Sequence, residues 1–242
     1  MPVHYAPPKI ANAFEYIDSR KPLIAARLAG DAGAPAALND ASGELLESLA
    51  DHRLDFAIIS IDLVGSTRLA TSLDADAYAR LIGLLLTELS EVAPLFHGHV
   101  LKYTGDGLIA YIPGPSPNTQ SDLAIDCALT MHGLVYRALN PAFEAAGLPA
   151  VDVRLGIDAG EAAVLVLGSP ETKRHADLIG EVVSLACKVQ GQAAPGEVWL
   201  GGVAVRHLHV QWRERLEPVA TPADWPYADE HDKPYELHRV VR

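Results

Sequence analysis

From Asp55 onward, the hydrophobic pattern alternates between short apolar runs and longer segments whose apolar residues recur every three or four positions. Short runs rich in β-branched residues predict strands, whereas a period near 3.6 residues predicts amphipathic helices. The predicted strands are 56–62, 98–103, 107–113, 151–158, 162–168, 197–201 and 235–241, and the predicted helices are 75–96, 121–146 and 178–192. The first six elements follow the order β-α-β-β-α-β, so we expect an α+β fold with a ferredoxin-like core and extra strands.

Residues 1–54 follow a different pattern. Pro7-Pro8 and the segment 31–43 are rich in loop-forming residues. Between these loops a helix is predicted at 11–28, and Ser42 is suited to cap a second helix that runs to Leu54. We therefore expect an N-terminal helical extension, residues 1–54, packed on a main domain that comprises residues 55–242.

Charge limits the classes of partner. The chain has 242 residues, of which 19 are basic and 31 acidic, and its formal net charge is −12. Binding to nucleic acid or to anionic lipid needs a basic surface, so both classes are disfavoured. Aromatic residues make up only 6% of the chain, which is scarce for a sheet that stacks RNA bases. An anionic ligand held through metal ions stays compatible with this composition.

Cysteine usage and the lack of long apolar runs predict a cytoplasmic protein. Cys127 and Cys187 lie in apolar segments of helical pattern, which predicts buried free thiols rather than a disulfide framework. The N-terminal residues lack the charged and apolar regions of a signal peptide. The longest apolar runs, such as LIGLLL (81–86), are far shorter than the ~20 residues that span a membrane.

Two aspartates occupy positions with chemical consequences. Asp62 ends a buried strand, and Asp106 lies in the segment Thr104-Gly105-Asp106, whose composition predicts a tight hairpin turn. If the two carboxylates meet across neighbouring strands, they repel each other unless a divalent cation keeps both ionised. Mg²⁺ takes oxygen ligands of this kind and shares them with substrate phosphates. Each aspartate alone has a simpler interpretation, as a cap or turn residue, so only the combination predicts a metal site.

A candidate phosphate-binding turn follows the first of these aspartates. Gly65, Ser66 and Thr67 lie where the predicted strand gives way to a helix. Backbone N–H groups at the start of a helix bind phosphate, and glycine lets the backbone approach it closely.

Four segments of the chain, taken in order, resemble the catalytic domain of class III adenylate and guanylate cyclases. They are IISIDLVGST (58–67), HVLKYTGDGLIAYI (99–112), VRLGIDAGEA (153–162) and DLIGEVVSLACKVQGQAAPGEVWL (177–200). The resemblance covers about residues 55–201 and extends to the closing strand at 235–241. No single segment would suffice, but their order and spacing together are specific.

The resemblance implies a site that holds two divalent metal ions, Mg²⁺ or Mn²⁺. Asp62 and Asp106 match the metal-binding aspartates of the family, and the backbone carbonyl of Leu63 is similar to a further ligand. In that family one ion lowers the pKa of the ribose 3′-hydroxyl for attack on the α-phosphorus. The other ion binds the triphosphate and helps pyrophosphate to leave. The implied substrate is a nucleoside triphosphate, and the implied product is a 3′,5′-cyclic nucleotide.

Lys102 and Asp177 match the pair of residues that recognises the base in this family. In adenylate cyclases, such a lysine donates to a ring nitrogen and the aspartate accepts from the exocyclic amine. A wrong base would leave a buried polar group unpaired, so the pair discriminates well. Without the resemblance, Lys102 would be interpreted as a solvated strand residue and Asp177 as a helix N-cap.

Two positions depart from the family pattern. The family has an asparagine that orients the ribose where this chain has Ser184, and an arginine that stabilises the transition-state phosphate where it has Lys188. Serine keeps a donor and an acceptor on a shorter arm, and lysine keeps the charge without the planar fork. Ser184 and Lys188 are therefore the candidate catalytic residues. Lys173 and Arg174 are further candidates for phosphate contacts, although a solvated charged loop is the simpler interpretation.

In the family, the metal-binding and base-recognising residues of one site come from different subunits. The resemblance therefore implies a homodimer with two composite sites.

Three functions are compatible with the sequence. The departures at Ser184 and Lys188, with no recognisable sensor segment, favour a stand-alone pyrimidine cyclase that converts UTP or CTP to cUMP or cCMP. Such a chain is similar to the bacterial Pycsar-type cyclases of antiphage defence. The Lys102–Asp177 pair instead favours an adenylate cyclase that makes cAMP from ATP. The third function is that of a degenerate, non-catalytic nucleotide-binding or interaction module. The presence of both Asp62 and Asp106, which match the metal-binding aspartates of the family, argues against it.

Overall fold

The computed structural model describes residues 7–30, 41–169, 171–172, 175–229 and 231–241. Within these ranges, the strands are β1 (Arg53–Leu63), β2 (His99–Tyr103), β3 (Leu108–Ile112), β4 (Val153–Leu167), β5 (His175–Ile179), β6 (Val198–Gly201), β7 (Leu216–Val219) and β8 (Leu237–Val240). The helices are α1 (Ala13–Ala29), α2 (Ala41–Ser48), α3 (Ser66–Ser72), α4 (Ala75–Ser90), α5 (Pro117–Leu134), α6 (Asn140–Ala145), α7 (Glu181–Gln192), α8 (Gly202–His207) and α9 (Val210–Arg213).

The strands form a single sheet in the order β2-β3-β1-β4-β6-β8-β7, and β5 pairs with the C-terminal part of β4. β1 runs antiparallel to both β3 and β4. The chain passes from β1 through α4 to the β2–β3 hairpin, and then through α5 to β4. The predicted ferredoxin-like βαββαβ core is therefore confirmed, and the remaining strands extend the sheet beyond it.

β1 is buried on both faces, as its continuous apolar run predicts. Ile59 and Ile61 belong to the core that the sheet shares with α1, α4 and α5. Phe56 and Ile58 belong to the core on the other face, which α2 and α7 cover. Because side chains alternate between the faces of a strand, Asp62 lies on the same face as Ile58, toward α7.

Several strand boundaries differ from the predicted ones. The runs 151–158 and 162–168 form one continuous strand, β4, because β1 pairs with it from Leu63 opposite Val153 to Arg53 opposite Ala163. Leu54, predicted as the end of a helix, lies in β1 for the same reason. A long-range strand partner thus overrides the local pattern at both places.

The helix predicted at 178–192 begins later than expected. Residues His175–Ile179 form β5 against the end of β4, and α7 begins only at Glu181. Asp177 is consequently a strand residue, so its interpretation as a helix N-cap is wrong. The strand partner decides this point, since the local sequence suits either element.

The two other long helices contain irregular turns. The segment predicted at 75–96 is α-helical to Ser90 and ends in a 3₁₀ turn at Ala93–Phe96. The segment predicted at 121–146 starts at Pro117 and widens to a π-helical turn over Val135–Leu139. Pro141, which follows that turn, has no N–H to give to a preceding carbonyl, and this favours the wider turn.

Helix α1 of the N-terminal segment packs onto the main core. Its residues Ile17, Ile24 and Leu28 are buried there. Arg20 and Arg27 form ion pairs with Glu88 of α4, whose side chain is fully buried, and the Arg20 Nε–Glu88 Oε2 distance is 2.9 Å. The helix therefore supplies both apolar contacts and charge to the domain.

Both cysteines are free thiols, with Cys127 buried and Cys187 half-buried on α7. Among the described helices, none is both long enough and apolar enough to cross a membrane.

Candidate active site

The hairpin turn that carries Asp106 lies directly against the end of β1 that carries Asp62. The pairing of β1 with β3 runs as far as Ile61 opposite Leu108, so Asp62 and Gly107 are the next neighbours. A Cβ atom at Gly107 would lie 2.2 Å from the carbonyl oxygen of Ile61 and 3.1 Å from Cα of Asp62. Only glycine permits this approach, which brings the two aspartate-bearing segments together.

The carboxylate of Asp62 is paired with a basic side chain. Arg154, opposite Asp62 in the β1–β4 register, donates from Nη2 to Oδ2 of Asp62 over 2.9 Å. The side chains of Asp62 and Arg154 are 25% and 33% exposed, so the pair is accessible from solvent. The Asp62 carboxylate therefore has a guanidinium as its charged partner in this structure.

Leu63 and the candidate phosphate-binding turn follow Asp62 without a break. Leu63 is buried at the end of β1. Gly65 has a φ of +71°, a conformation that favours glycine, and α3 begins at Ser66. Gly65 and Thr67 are exposed, and Ser66 is half-buried. The backbone N–H groups of the turn are thus placed at the surface, next to the Asp62 end of the sheet.

Lys102 and Asp177 form an ion pair, with 2.5 Å between Nζ and Oδ2. Lys102 is on β2, which pairs with β3, and Asp177 is on β5, which pairs with the C-terminal part of β4. A register shift in β2 places Lys102 opposite Ile109, whereas Tyr103 lies opposite Leu108. Lys102 therefore points to the opposite face from Tyr103, as strand alternation predicts. Bulges of this kind re-aim a side chain.

Ser184 and Lys188 lie one helical turn apart on α7, and both are exposed. The opposite side of α7 packs on the sheet through Val182, Leu185 and Ala186. A spacing of four residues places both polar side chains on one face, where they can contact the same ligand.

The predicted site residues fall into two groups. One contains Asp62 and Asp106, and the other contains Lys102 and Asp177. In the described part of the chain, no hydrogen bond or ion pair joins the two groups. Lys173 and Arg174 lie outside the described residues.

Two residues near Asp62 were missed by the sequence analysis. Arg154 contacts Asp62 directly, and Gln190 of α7 is buried with its Nε2 atom 3.5 Å from Oδ2 of Asp62. Arg154 stands in the quoted segment VRLGIDAGEA, so a basic residue inside a buried strand was the available signal. Gln190 offered no comparable signal, because its approach depends on how α7 packs.

Asp158, in the same segment as Arg154, is fully buried, and its hydrogen bonds give it a structural role. It accepts hydrogen bonds from the Tyr235 hydroxyl at 2.8 Å and from the Ala159 N–H at 2.9 Å. Burial raises the pKa of Asp158 to about 7, against the effect of these donors. A Cβ at Gly201 would lie 2.6 Å from the Asp158 carboxylate, so that glycine leaves room for it.

The carboxylate oxygens of Asp62 and Asp106 are ligands that suit a hard cation. No cluster of three or more His, Cys, Asp or Glu side chains with metal-binding geometry occurs among the described residues. Two carboxylates and nearby backbone oxygens are an incomplete ligand set by themselves. Such a set fits an ion that completes its coordination with substrate phosphates, as Mg²⁺ usually does.

Comparison with known sequences finds similarity to nucleotide cyclases. Residues 51–220 match the family model of the adenylate and guanylate cyclase catalytic domain. A cytidylate cyclase of Staphylococcus aureus is 26% identical over 159 residues, which cover 62% of this chain and 36% of that protein. A cytidylate cyclase of Escherichia coli is 25% identical over 170 residues, which cover 65% and 36%. Adenylate cyclase type 10 of Oryctolagus cuniculus is 27% identical over 137 residues, which cover 56% and 8%. The matched region thus spans about a third or less of each relative.

Solved structures agree with this assignment at the level of the fold. The adenylyl cyclase CyaB from P. aeruginosa superposes with a TM-score of 0.67 at 20% identity, covering 79% of this chain and 95% of that one. The guanylyl cyclase Cya2 superposes with a TM-score of 0.68 at 18% identity, covering 79% and 93%. Since the family model covers well over half of the chain, the chain belongs to the adenylate and guanylate cyclase catalytic domain family.

Proposed function

We propose that this chain is a nucleotidyl cyclase that converts a nucleoside triphosphate to a 3′,5′-cyclic nucleotide and pyrophosphate. The observation that carries the proposal is the close approach of the Asp106 turn to Asp62 at Gly107, within a domain of the cyclase family. Asp62, Asp106 and the carbonyl of Leu63 would hold two divalent ions, Mg²⁺ or Mn²⁺. Bound there, the ions would supply activation of the 3′-hydroxyl and charge neutralisation at the phosphates.

The other residues of the chain bind and orient the substrate in this proposal. Lys102 and Asp177 contact the base, with the lysine donating and the carboxylate accepting. The backbone N–H groups of Gly65, Ser66 and Thr67 contact phosphate. On α7, the Ser184 hydroxyl contacts the ribose and the Lys188 ammonium contacts the phosphate at which charge develops.

A homodimer with composite sites is part of the proposal. Three observations support it. Among the described residues, no hydrogen bond or ion pair joins Asp62 and Asp106 to the Lys102–Asp177 pair within one chain. On α7, Ser184 and Lys188 are both exposed. Two large apolar side chains near the Lys102–Asp177 pair are also exposed, with exposed fractions of 50% for Tyr103 and 48% for Ile179. These side chains are available for contact with a second subunit.

The base is the finer part of the proposal, and we favour a pyrimidine. The two cytidylate cyclase relatives and the atypical Ser184 and Lys188 support UTP or CTP as substrate. We further propose that the cyclic product acts as a signal in antiphage defence in the cytoplasm. The 2.5 Å contact of Lys102 with Asp177, together with a relative named as an adenylate cyclase, supports ATP as the second candidate.

The experiment is product identification. Purified protein is incubated with Mn²⁺ and each of ATP, GTP, CTP and UTP, and the products are identified by mass spectrometry. We expect a cyclic pyrimidine nucleotide, and a cyclic purine product alone would select the second candidate. Asp106→Ala should abolish turnover while leaving the circular dichroism spectrum intact. If the wild-type protein dimerises and binds Mn²⁺ but forms no cyclic product, the chain is a non-catalytic module.

A further inference from the structure

All the described hydrogen bonds to the carboxylate of Asp62 converge on one oxygen. Arg154 donates to Oδ2 from Nη2 over 2.9 Å and from Nε over 3.3 Å, and Gln190 Nε2 lies 3.5 Å away. Oδ1 receives none of the hydrogen bonds in the described part of the chain. The guanidinium therefore covers one half of a carboxylate that the proposed metal site needs.

The position of Arg154 is built into the fold. It stands directly opposite Asp62 in the antiparallel pairing of β1 with β4. Its Nη1 atom also donates to the carbonyl oxygen of Gly191 on α7, over 3.2 Å. Strand register and the α7 contact thus hold the guanidinium beside Asp62 independently of any ligand.

A cation held at this carboxylate opposes a second cation there. Two positive charges a few ångströms apart repel each other, and a guanidinium cannot lose its proton to relieve this. A divalent ion that uses Oδ2 must displace Arg154, and an ion that uses only Oδ1 must tolerate its charge. An anionic substrate changes this balance, because it neutralises charge and offers the guanidinium another acceptor.

We propose that Arg154 competes with divalent metal ions for Asp62 in the nucleotide-free protein, so that full metal loading depends on the arrival of the triphosphate. The inference rests on the proposed cyclase function and adds a regulatory role for one residue of the site. Empty protein would then bind metal weakly, and metal and nucleotide would increase each other's affinity by the same factor.

The test measures Mn²⁺ binding without nucleotide, by the electron paramagnetic resonance signal of free Mn²⁺. Arg154→Gln should bind Mn²⁺ about fivefold more tightly than the wild type, the order expected from removing one partly exposed charge. Arg154→Lys keeps the charge and should stay within about twofold of the wild type. Adding Asp62→Asn to Arg154→Gln should remove the tightened site.

Arg53→Gln is the matched control. It removes the same charge from the other end of β1, where Arg53 pairs with Glu161 at 2.9 Å and both side chains are exposed. Its Mn²⁺ affinity should equal that of the wild type. If Arg154→Gln leaves the affinity unchanged or weakens it, Arg154 is a support for the Asp62 ligand and the inference is overturned.

A crystal structure of the unmodified protein with Mn²⁺ and without nucleotide tests the same point with no variant. At saturating Mn²⁺ we expect the guanidinium of Arg154 to have left Oδ2 of Asp62. A Mn²⁺ ion on Asp62 with both Arg154 hydrogen bonds retained would overturn the competition. Failure of the proposed function looks different, since it is the absence of any cyclic product from the wild type in the product assay.

Discussion

The Nζ atom of Lys102 lies 2.5 Å from Oδ2 of Asp177, although 75 positions separate the two residues along the chain. The Asp177 side chain is only 9% exposed, whereas that of Lys102 is 41% exposed. A nearly buried carboxylate therefore has its charge balanced by a lysine that solvent can reach. In the proposed function, the nucleotide base replaces this mutual contact with its own hydrogen bonds to the two side chains.

Asp177→Asn should change which nucleotide is used. The amide keeps the size of the side chain but replaces an acceptor oxygen with a donor, so the preferred base loses a charge-assisted hydrogen bond. We expect kcat/KM for the preferred triphosphate to fall about 10- to 100-fold, and the ratios among the four triphosphates to change. Steady-state kinetics with each triphosphate is the measurement. Asp224→Asn, in an exposed loop, is the control. If kcat/KM falls equally with all four triphosphates, the Lys102–Asp177 pair supports the fold and does not select the base.

Mixing two inactive variants should restore activity if the sites are composite. Lys102→Met and Asp106→Ala each disable one half of every site in their own homodimer. In a mixed dimer the two defects fall in the same site, so the other site is intact. Random mixing should recover about a quarter of wild-type turnover, since half of the dimers are mixed and each holds one working site. No recovery, with subunit exchange verified by native mass spectrometry, would contradict composite sites.

Loss of both arginines of α1 should destabilise the whole domain. The side chain of Glu88 is fully buried against Arg20 and Arg27. Without these partners its charge is buried and uncompensated, so Arg20→Ala with Arg27→Ala should cost about 3–5 kcal/mol in the free energy of unfolding. Urea unfolding is the measurement. Adding Glu88→Gln should recover part of this loss, because it removes the unpaired charge.

The control for that pair is Lys21→Ala on the same helix. Lys21 pairs with Asp18 at 2.7 Å, but the two side chains are 50% and 68% exposed. Its loss should change the free energy of unfolding by less than about 0.5 kcal/mol. A similar effect from all three substitutions would mean that helix propensity, and not the buried charge, explains the result.

Asp158→Asn should flatten the pH dependence of stability. Burial raises the pKa of Asp158 to about 7, whereas an aspartate in an unfolded chain titrates near 4. Between these values the folded protein keeps a proton that the unfolded chain releases, so stability is present below about pH 4 and is lost as the pH rises to 7. The slope is up to about 1.4 kcal/mol per pH unit. Urea unfolding of wild type and variant across this range measures the difference.

Tyr235→Phe provides a second arm for the same prediction. The Tyr235 hydroxyl donates to both carboxylate oxygens of Asp158 and so lowers its pKa against the effect of burial. Without this donor the pKa should rise further, and the loss of stability should continue above pH 7. Parallel pH profiles for the wild type and both variants would refute the titration of Asp158.

Gly156→Ala should damage both packing and activity. A Cβ at this position of β4 would lie 2.3 Å from the backbone nitrogen of Gln190 and 2.5 Å from the carbonyl oxygen of Ala186. Helix α7 would have to move off the sheet, away from Asp62, at a cost of about 1–3 kcal/mol. Thermal unfolding and turnover are the measurements. Gly83→Ala, inside α4 with open space around it, should instead stabilise by about 1 kcal/mol.

Much of the fold follows from local pattern. Hydrophobic periodicity and turn residues predict the buried strand at Phe56–Asp62, the hairpin around Gly105 and the βαββαβ order. The boundaries that were wrong, at Leu54 and at Leu178, are places where a distant strand supplies the partner. Local sequence cannot report such a partner, because the stabilising hydrogen bonds come from residues far along the chain.

The sequence by itself determined the family, the order of elements and the candidate residues, because these reside in ordered motifs and their spacing. Only the tertiary structure decided that Lys102 and Asp177 touch, that the Asp106 turn rests on Asp62 through Gly107, and that Arg154 and Gln190 converge on the Asp62 carboxylate. These contacts depend on a β2 register shift and on the close packing of α7 over Gly156. Both arise from the registers of several segments together, and no single segment encodes them.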